Sequence, residues 1–214
     1  MTDIAFRVHP SPVGEILIVA TPEGIVTLHP IDGPLDAELA RIATTLHALP
    51  VPDDEAGGDV DRQLDEYFEG ERREFDVALD WRLVNGFRRA ALEAVGAIPY
   101  GETAGYGEVA IAAGSPGAAR AVGTACATTP FSIIVPVHRV VRSDGSLGEY
   151  GGHPEVKRFL IDLERETLGD VPVGAIPPAP AGAREEAPAV AIGTPASAVG
   201  APASAVGASQ TADE

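Results

Sequence analysis

Pro136-Val137-His138-Arg139-Val140-Val141 sets an imidazole between an aliphatic side chain and a guanidinium. A histidine can draw a proton from a thiol, directly or through a water. A carboxylate that holds the other ring nitrogen completes the relay. A thiol at neutral pH is mostly protonated and reacts as the thiolate, so such a relay turns it into a nucleophile. Here the residue before His138 is Val137, which has no nucleophile, no proton to give and no lone pair. The only cysteine is Cys126, in Thr124-Ala125-Cys126-Ala127-Thr128. One cysteine leaves no intramolecular disulfide framework and no Cys-rich metal site. By itself a lone histidine is usually structural, and a lone helical thiol is usually buried and inert.

The same stretch resembles the active-site segment of the O6-alkylguanine-DNA alkyltransferases, in which Pro-Cys-His-Arg carries the nucleophilic cysteine. Other segments resemble that family in order. Ser11-Pro12-Val13-Gly14 and Gln63-Leu64-Asp65-Glu66-Tyr67-Phe68 match its N-terminal domain. Ile98-Pro99-Tyr100-Gly101-Glu102-Thr103 and Tyr106-Gly107-Glu108-Val109-Ala110 match the start of its helix-turn-helix, and Arg120-Ala121-Val122-Gly123-Thr124-Ala125 its recognition helix. Ser143-Asp144-Gly145-Ser146-Leu147 and Tyr150-Gly151-Gly152 match the loop after the active site, and Lys157 and Glu164 keep the family's spacing in the last helix.

The resemblance implies a Cys–water–His–Glu relay and an irreversible transfer of the alkyl group to sulfur, without cofactor or metal. Val137 then stands at the nucleophile position, with His138 and Glu164 as vestigial relay members and Arg139 as a structural residue. It also implies base flipping, because an alkylated guanine cannot be reached inside a duplex. Arg120 matches the arginine that enters the stack in place of the flipped base, and Tyr106 the tyrosine that displaces the adjacent phosphate. Ala118, Ala119, Ala121, Gly123 and Ala127 keep the recognition helix slim, as suits a minor groove about 6 Å wide. Ser143 joins Tyr106, Arg120, Ala118, Ala119 and Gly123 in the implied DNA-binding set. The implied lesion pocket is lined by Cys126, Val137, Val140, Leu147, Tyr150 and Gly151.

A second departure accompanies Val137. The family usually has Asn before the proline that precedes the motif, and that amide ties the backbone turns together. This chain has Thr129-Pro130, and a hydroxyl has one donor and less reach than an amide. The expected protein binds double-stranded DNA containing O6-alkylguanine without transferring the alkyl group. In this it is similar to the alkyltransferase-like proteins, which mark lesions for nucleotide excision repair. Two alternatives stay open. One is an active methyltransferase, through Cys126 or through a cysteine at 137 in the native gene. The other is a degenerate paralogue acting as an interaction module.

The elements that position these residues follow from periodicity. Glu15–Ala20 and Gly24–His29 read as strands joined through the turn Thr21-Pro22-Glu23-Gly24. Leu35 to His47 is a helix, and Asp53 to Asp59 an acidic loop. Val60, Leu64, Tyr67 and Phe68 fall on one helical face, with Gly70 near the C-cap. Phe75-Asp76-Val77-Ala78-Leu79 alternates like a strand. Phe87, Ala91, Leu92 and Val95 form the face of a helix ended by Pro99. Helices 107–113 and 117–127 flank a Gly-containing turn, as a helix-turn-helix would. Ile133-Ile134-Val135 is a buried run. Pro154 starts the last helix, with Val156, Phe159, Leu160 and Leu163 as its apolar face.

The fold expected is α+β. A ribonuclease-H-like α/β domain occupies 1–82 and a mostly helical, winged helix-turn-helix-like domain 83–167. An Ala/Pro/Gly-rich tail over 168–214 repeats Pro195-Ala196-Ser197-Ala198-Val199-Gly200-Ala201 and reads as disordered. Net charge is −17, unfavourable for a partner that is itself a polyanion. Its distribution matters more: residues 1–85 hold 6 basic and 18 acidic side chains, whereas residues 86–164 hold 7 and 8. Neither a signal peptide nor a membrane span is legible, which points to the cytoplasm.

Overall fold

The computed structural model describes residues 4–169; the tail expectation falls almost wholly on residues 170–214, outside them. Four strands form the first sheet: β1 (Ala5–His9), β2 (Ile16–Thr21), β3 (Gly24–Pro30) and β4 (Val51–Pro52). Their order is β3-β2-β1-β4, with β1 and β4 parallel and the other pairs antiparallel. β2 is buried along its whole length. That accounts for its unbroken apolar run, since both faces are covered. Leu17 and Val19 face Val26 and Ile42 of α1 (Leu35–Leu46). Ile16 and Ile18 pack with Val60, Leu64 and Tyr67 of α2 (Val60–Phe68).

The second half is α3 (Gly86–Gly96), β5 (Ala104–Gly105), α4 (Tyr106–Ala112), α5 (Ala119–Ala127), β6 (Val140–Val141) and α6 (Pro154–Thr167). β5 and β6 pair in parallel. Ala91, Leu92, Val95, Val109, Val122, Ala125 and Phe131 form its core. The two halves share packing, because Leu160 of α6 and Ile133 lie in the cluster built on β2 and α2. No helix among the described residues is long and apolar enough to cross a membrane.

Two expectations need correction. Residues 75–79 form no ladder strand, and only Leu79 makes a bridge, to Ile25. The Gln63 side chain takes the neighbouring strand's place at Asp76. Its amide donates to the Asp76 carbonyl at 3.1 Å, and its carbonyl accepts the Asp76 N–H at 2.8 Å. The buried stripe of α6 is Lys157, Leu160, Ile161 and Glu164, while Phe159 is 40% exposed. The helix is rotated so that two charged side chains, not Phe159, meet interior partners.

Candidate functional site

Glu164 is 1% exposed and is surrounded by donors from three parts of the chain. His138 Nε2 lies 2.8 Å from Oε1, and the Tyr67 hydroxyl donates to the same oxygen at 2.8 Å. Arg139 donates through Nε at 3.0 Å and Nη2 at 2.9 Å, and the Gly101 N–H donates at 2.9 Å. Burial opposes the carboxylate charge, but the hydrogen bond to His138 and the Arg139 guanidinium outweigh it and hold the pKa down at about 2. Arg139 also donates to the Ile98 carbonyl and lies over the Tyr100 ring. Breaking such a buried pair from one side costs about 3–5 kcal/mol, because the other charge is left unpaired.

His138 belongs to a 3-10 turn, Val137–Arg139, and is fully buried. Burial lowers its pKa against the pull of Glu164. An ionised carboxylate can only accept, so Nε2 carries the proton that faces Glu164. Nδ1 is buried and meets no hydrogen-bond donor among the described residues. The turn before this motif holds Ile133 at φ 72. That left-handed conformation is unusual for a β-branched residue and costs on the order of 1–3 kcal/mol. Thr129 contributes one local contact, its hydroxyl oxygen accepting the Phe131 N–H at 3.2 Å.

Val137 is 4% exposed and packs in one cluster with Val140, Cys126, Tyr106 and Tyr150. Four of the six expected pocket residues are therefore together: Cys126, Val137, Val140 and Tyr150. Leu147 instead lines a groove of about 960 Å³ with Pro154, Arg158, Phe159 and Leu163 of α6. Gly151 is exposed, at φ 58. Burial pushes the Cys126 thiol up to about 11, despite the nearby Lys157, so it stays protonated at neutral pH. Lys157 is fully buried and donates from Nζ to the Val140 carbonyl at 2.6 Å. Burial drives its pKa down to about 8.

α4 and α5 are joined through a turn with Gly114 and Gly117 at positive φ. Glu108 accepts the Gly105 N–H and fixes the start of α4. Tyr106 is the first residue of α4, and its ring lies against α5: a Cβ at Gly123 would sit 3.8 Å from it. Arg120 is exposed and has no ion-pair partner among the described residues. Ala118 and Ala119 are half-buried at the start of α5, and Ser143 is exposed in the loop after β6. Tyr67 and Gly101 are partners of Glu164 that sequence reasoning missed. Tyr67 reads as an apolar-face residue, and nothing local reveals what its hydroxyl meets.

Two family models divide the chain. Residues 4–81 match the ribonuclease-like domain of 6-O-methylguanine DNA methyltransferase, and residues 86–166 match its DNA binding domain. The chain belongs to this DNA-repair family. A Mycobacterium tuberculosis methylated-DNA–protein-cysteine methyltransferase is 40% identical over 162 residues, covering 76% of this chain and 93% of that protein. A Methanosarcina acetivorans protein of the same name is 36% identical over 159 residues, 74% of this chain and 97% of that one. Among solved structures, M. tuberculosis O6-methylguanine methyltransferase has a TM-score of 0.67 at 38% identity, covering 77% of this chain and 94% of that one. M. tuberculosis OGT in complex with DNA has a TM-score of 0.66 at 37% identity, covering 76% and 94%.

Proposed function

We propose that this protein flips and binds O6-alkylguanine in double-stranded DNA without taking the alkyl group. The observation that carries the reading is Val137 beside an otherwise complete His138–Glu164 pair. Val137 takes the place of the family's nucleophile, and the relay behind it has no thiol to activate. Cys126 is a poor substitute, because burial keeps its thiol protonated and a thiolate is what reacts. The exposed, unpaired Arg120 is the group that enters the base stack. Tyr106 meets the adjacent phosphate, with Ala118, Ala119, Gly123 and Ser143 along the groove. The lesion's alkyl group packs against Cys126, Val137, Val140 and Tyr150, with Leu147 and Gly151 supplied by the following loop.

In this reading residues 1–82 support the DNA-binding half, 83–167. The protein acts in the cytoplasm and hands the lesion to nucleotide excision repair proteins. The nearly neutral second half implies few phosphate contacts and a shallow dependence of binding on salt.

The test pairs a gel shift with a radiolabelled methyl-transfer assay, on the natural chain and on Val137→Cys. The natural chain should bind an O6-methylguanine duplex more tightly than an unmodified one and acquire no label. Equal affinity for both duplexes sinks the proposal. Stoichiometric labelling would instead establish an active transferase, and mass spectrometry would locate the adduct. Val137→Cys should regain transfer if only the nucleophile was lost.

A further inference from the structure

β5 and β6 pair in parallel, with Gly105 beside Val141, so the residues that leave this short ladder together are Tyr106 and Arg142. A turn fixes the Arg142 backbone: its N–H donates to the Ser146 carbonyl and its carbonyl accepts the Gly145 N–H, each at 2.9 Å. A Cβ on Gly148 would lie 3.7 Å from Arg142 Cγ and Nε and 3.3 Å from the Tyr106 hydroxyl. The arginine side chain and the phenol thus meet over a glycine that puts no side chain between them. The ion pair that Arg142 makes among the described residues is with Glu149, at 3.9 Å, and the two side chains are 54% and 81% exposed. Asp144 also stands near Arg142, but its Oδ1 is occupied by the N–H and the hydroxyl of Ser146. Arg142 and Glu149 act in opposite directions on Tyr106 and on the Lys157 amine, so both charges are felt at those groups.

We infer that Arg142 is a phosphate-contact residue beside Tyr106, and that Glu149 holds its guanidinium in the free protein and gives it up to DNA. The inference rests on the DNA-binding reading above, in which Tyr106 meets a phosphate, and adds the cation that shares that phosphate. A long, exposed ion pair contributes little, so exchanging it for another anion costs little. A guanidinium is a planar fork that fits two phosphate oxygens at once. The duplex repels the Glu149 carboxylate as it attracts the guanidinium, so its approach drives the exchange. Glu149 is therefore a brake on binding, a counterion carried by the chain itself. The brake acts alike on damaged and undamaged duplexes, because phosphate contacts carry no base information.

The experiment uses the full chain, natural and with Arg142→Gln, Glu149→Gln or both. Affinity for an unmodified duplex and for an O6-methylguanine duplex of the same sequence is read by fluorescence anisotropy over a salt series. Arg142→Gln should weaken binding to both duplexes by one common factor, about three- to tenfold, and lower the salt slope by about 1. Glu149→Gln should tighten binding to both by about threefold, and most of that gain should disappear when Arg142 is also replaced, as coupled neighbours require. An Arg142→Gln chain with the natural affinity and slope overturns the inference. So does a loss confined to the O6-methylguanine duplex, which would make Arg142 a support of the lesion pocket. A Glu149→Gln gain that survives undiminished in the double variant overturns the exchange, leaving simple repulsion. If the natural chain binds both duplexes equally while Arg142→Gln weakens both, the lesion-binding reading fails and this one stands. If it binds neither, both fail.

Discussion

His138 and its neighbour Val137 stand in opposite surroundings. Glu164 gathers donors from α2, the loop after α3 and the 3-10 turn, which supplies both His138 and Arg139. Val137 packs in an apolar cluster with Val140, Cys126, Tyr106 and Tyr150. The first region joins the halves of the molecule and is saturated. The second holds packing and no buried charge. The contrast explains how a residue as consequential as the one at 137 can change without unfolding the chain. The carboxylate network does not pass through its side chain.

The largest expected effect comes from emptying the saturated side. Glu164→Leu strands the buried Arg139 charge and should destabilise the fold by about 3–5 kcal/mol in chemical denaturation. A loss below about 1 kcal/mol would mean the network is decorative.

Next comes pH. Glu164 is held at about 2, against an ordinary 4.5. Its stabilisation is therefore complete above pH 4.5 and is lost as pH falls toward 2. Lys157 is pushed to about 8, against 10.5. The unfolded chain holds that proton longer, so stability rises as pH climbs from 8 toward 10.5. Each limb spans about 3 kcal/mol. Denaturation across a pH series should lose the acid limb in Glu164→Gln and the alkaline limb in Lys157→Met.

Tyr67→Phe removes one hydrogen bond to a charged group and should cost about 1.5–3 kcal/mol by the same denaturation. Val137→Cys, in the apolar cluster, should shift stability by less than about 1.5 kcal/mol, as hydrophobic exchanges of similar size do. A larger shift would join the two regions that the comparison separates.

Much of this was legible in the sequence. β2, β3 and the helical faces of α2 and α3 follow from apolar spacing, because burial on a fixed face is a local pattern. The family motifs located His138 and Glu164, and their contact at 2.8 Å is what the motif implied. β1 and β4 were not legible. β1 is half-buried throughout, so it lacks clean alternation, and β4 is two residues long and includes Pro52. Phe75–Leu79 had the alternation of a strand, but a glutamine side chain supplies part of its pairing. Phe159 was misplaced because apolar spacing cannot anticipate that Lys157 and Glu164 outrank it for the interior. Tyr67 was missed because its hydroxyl partner lies 97 residues away.

That separation has a consequence for how the chain is made. The contact between Tyr67 and Glu164 closes a long loop, and the cluster it sits beside is completed by Leu160 of the same helix. Closing a loop of this length has an entropic cost that must be met before the contact rewards it. During synthesis, the first sheet and α2 leave the ribosome well before α6 does. Until then Tyr67 has no acceptor and Leu64 lacks part of its cover. Helix α6 thus acts as a latch on the first domain, and a nascent chain stalled before residue 160 lacks the side chains that close it.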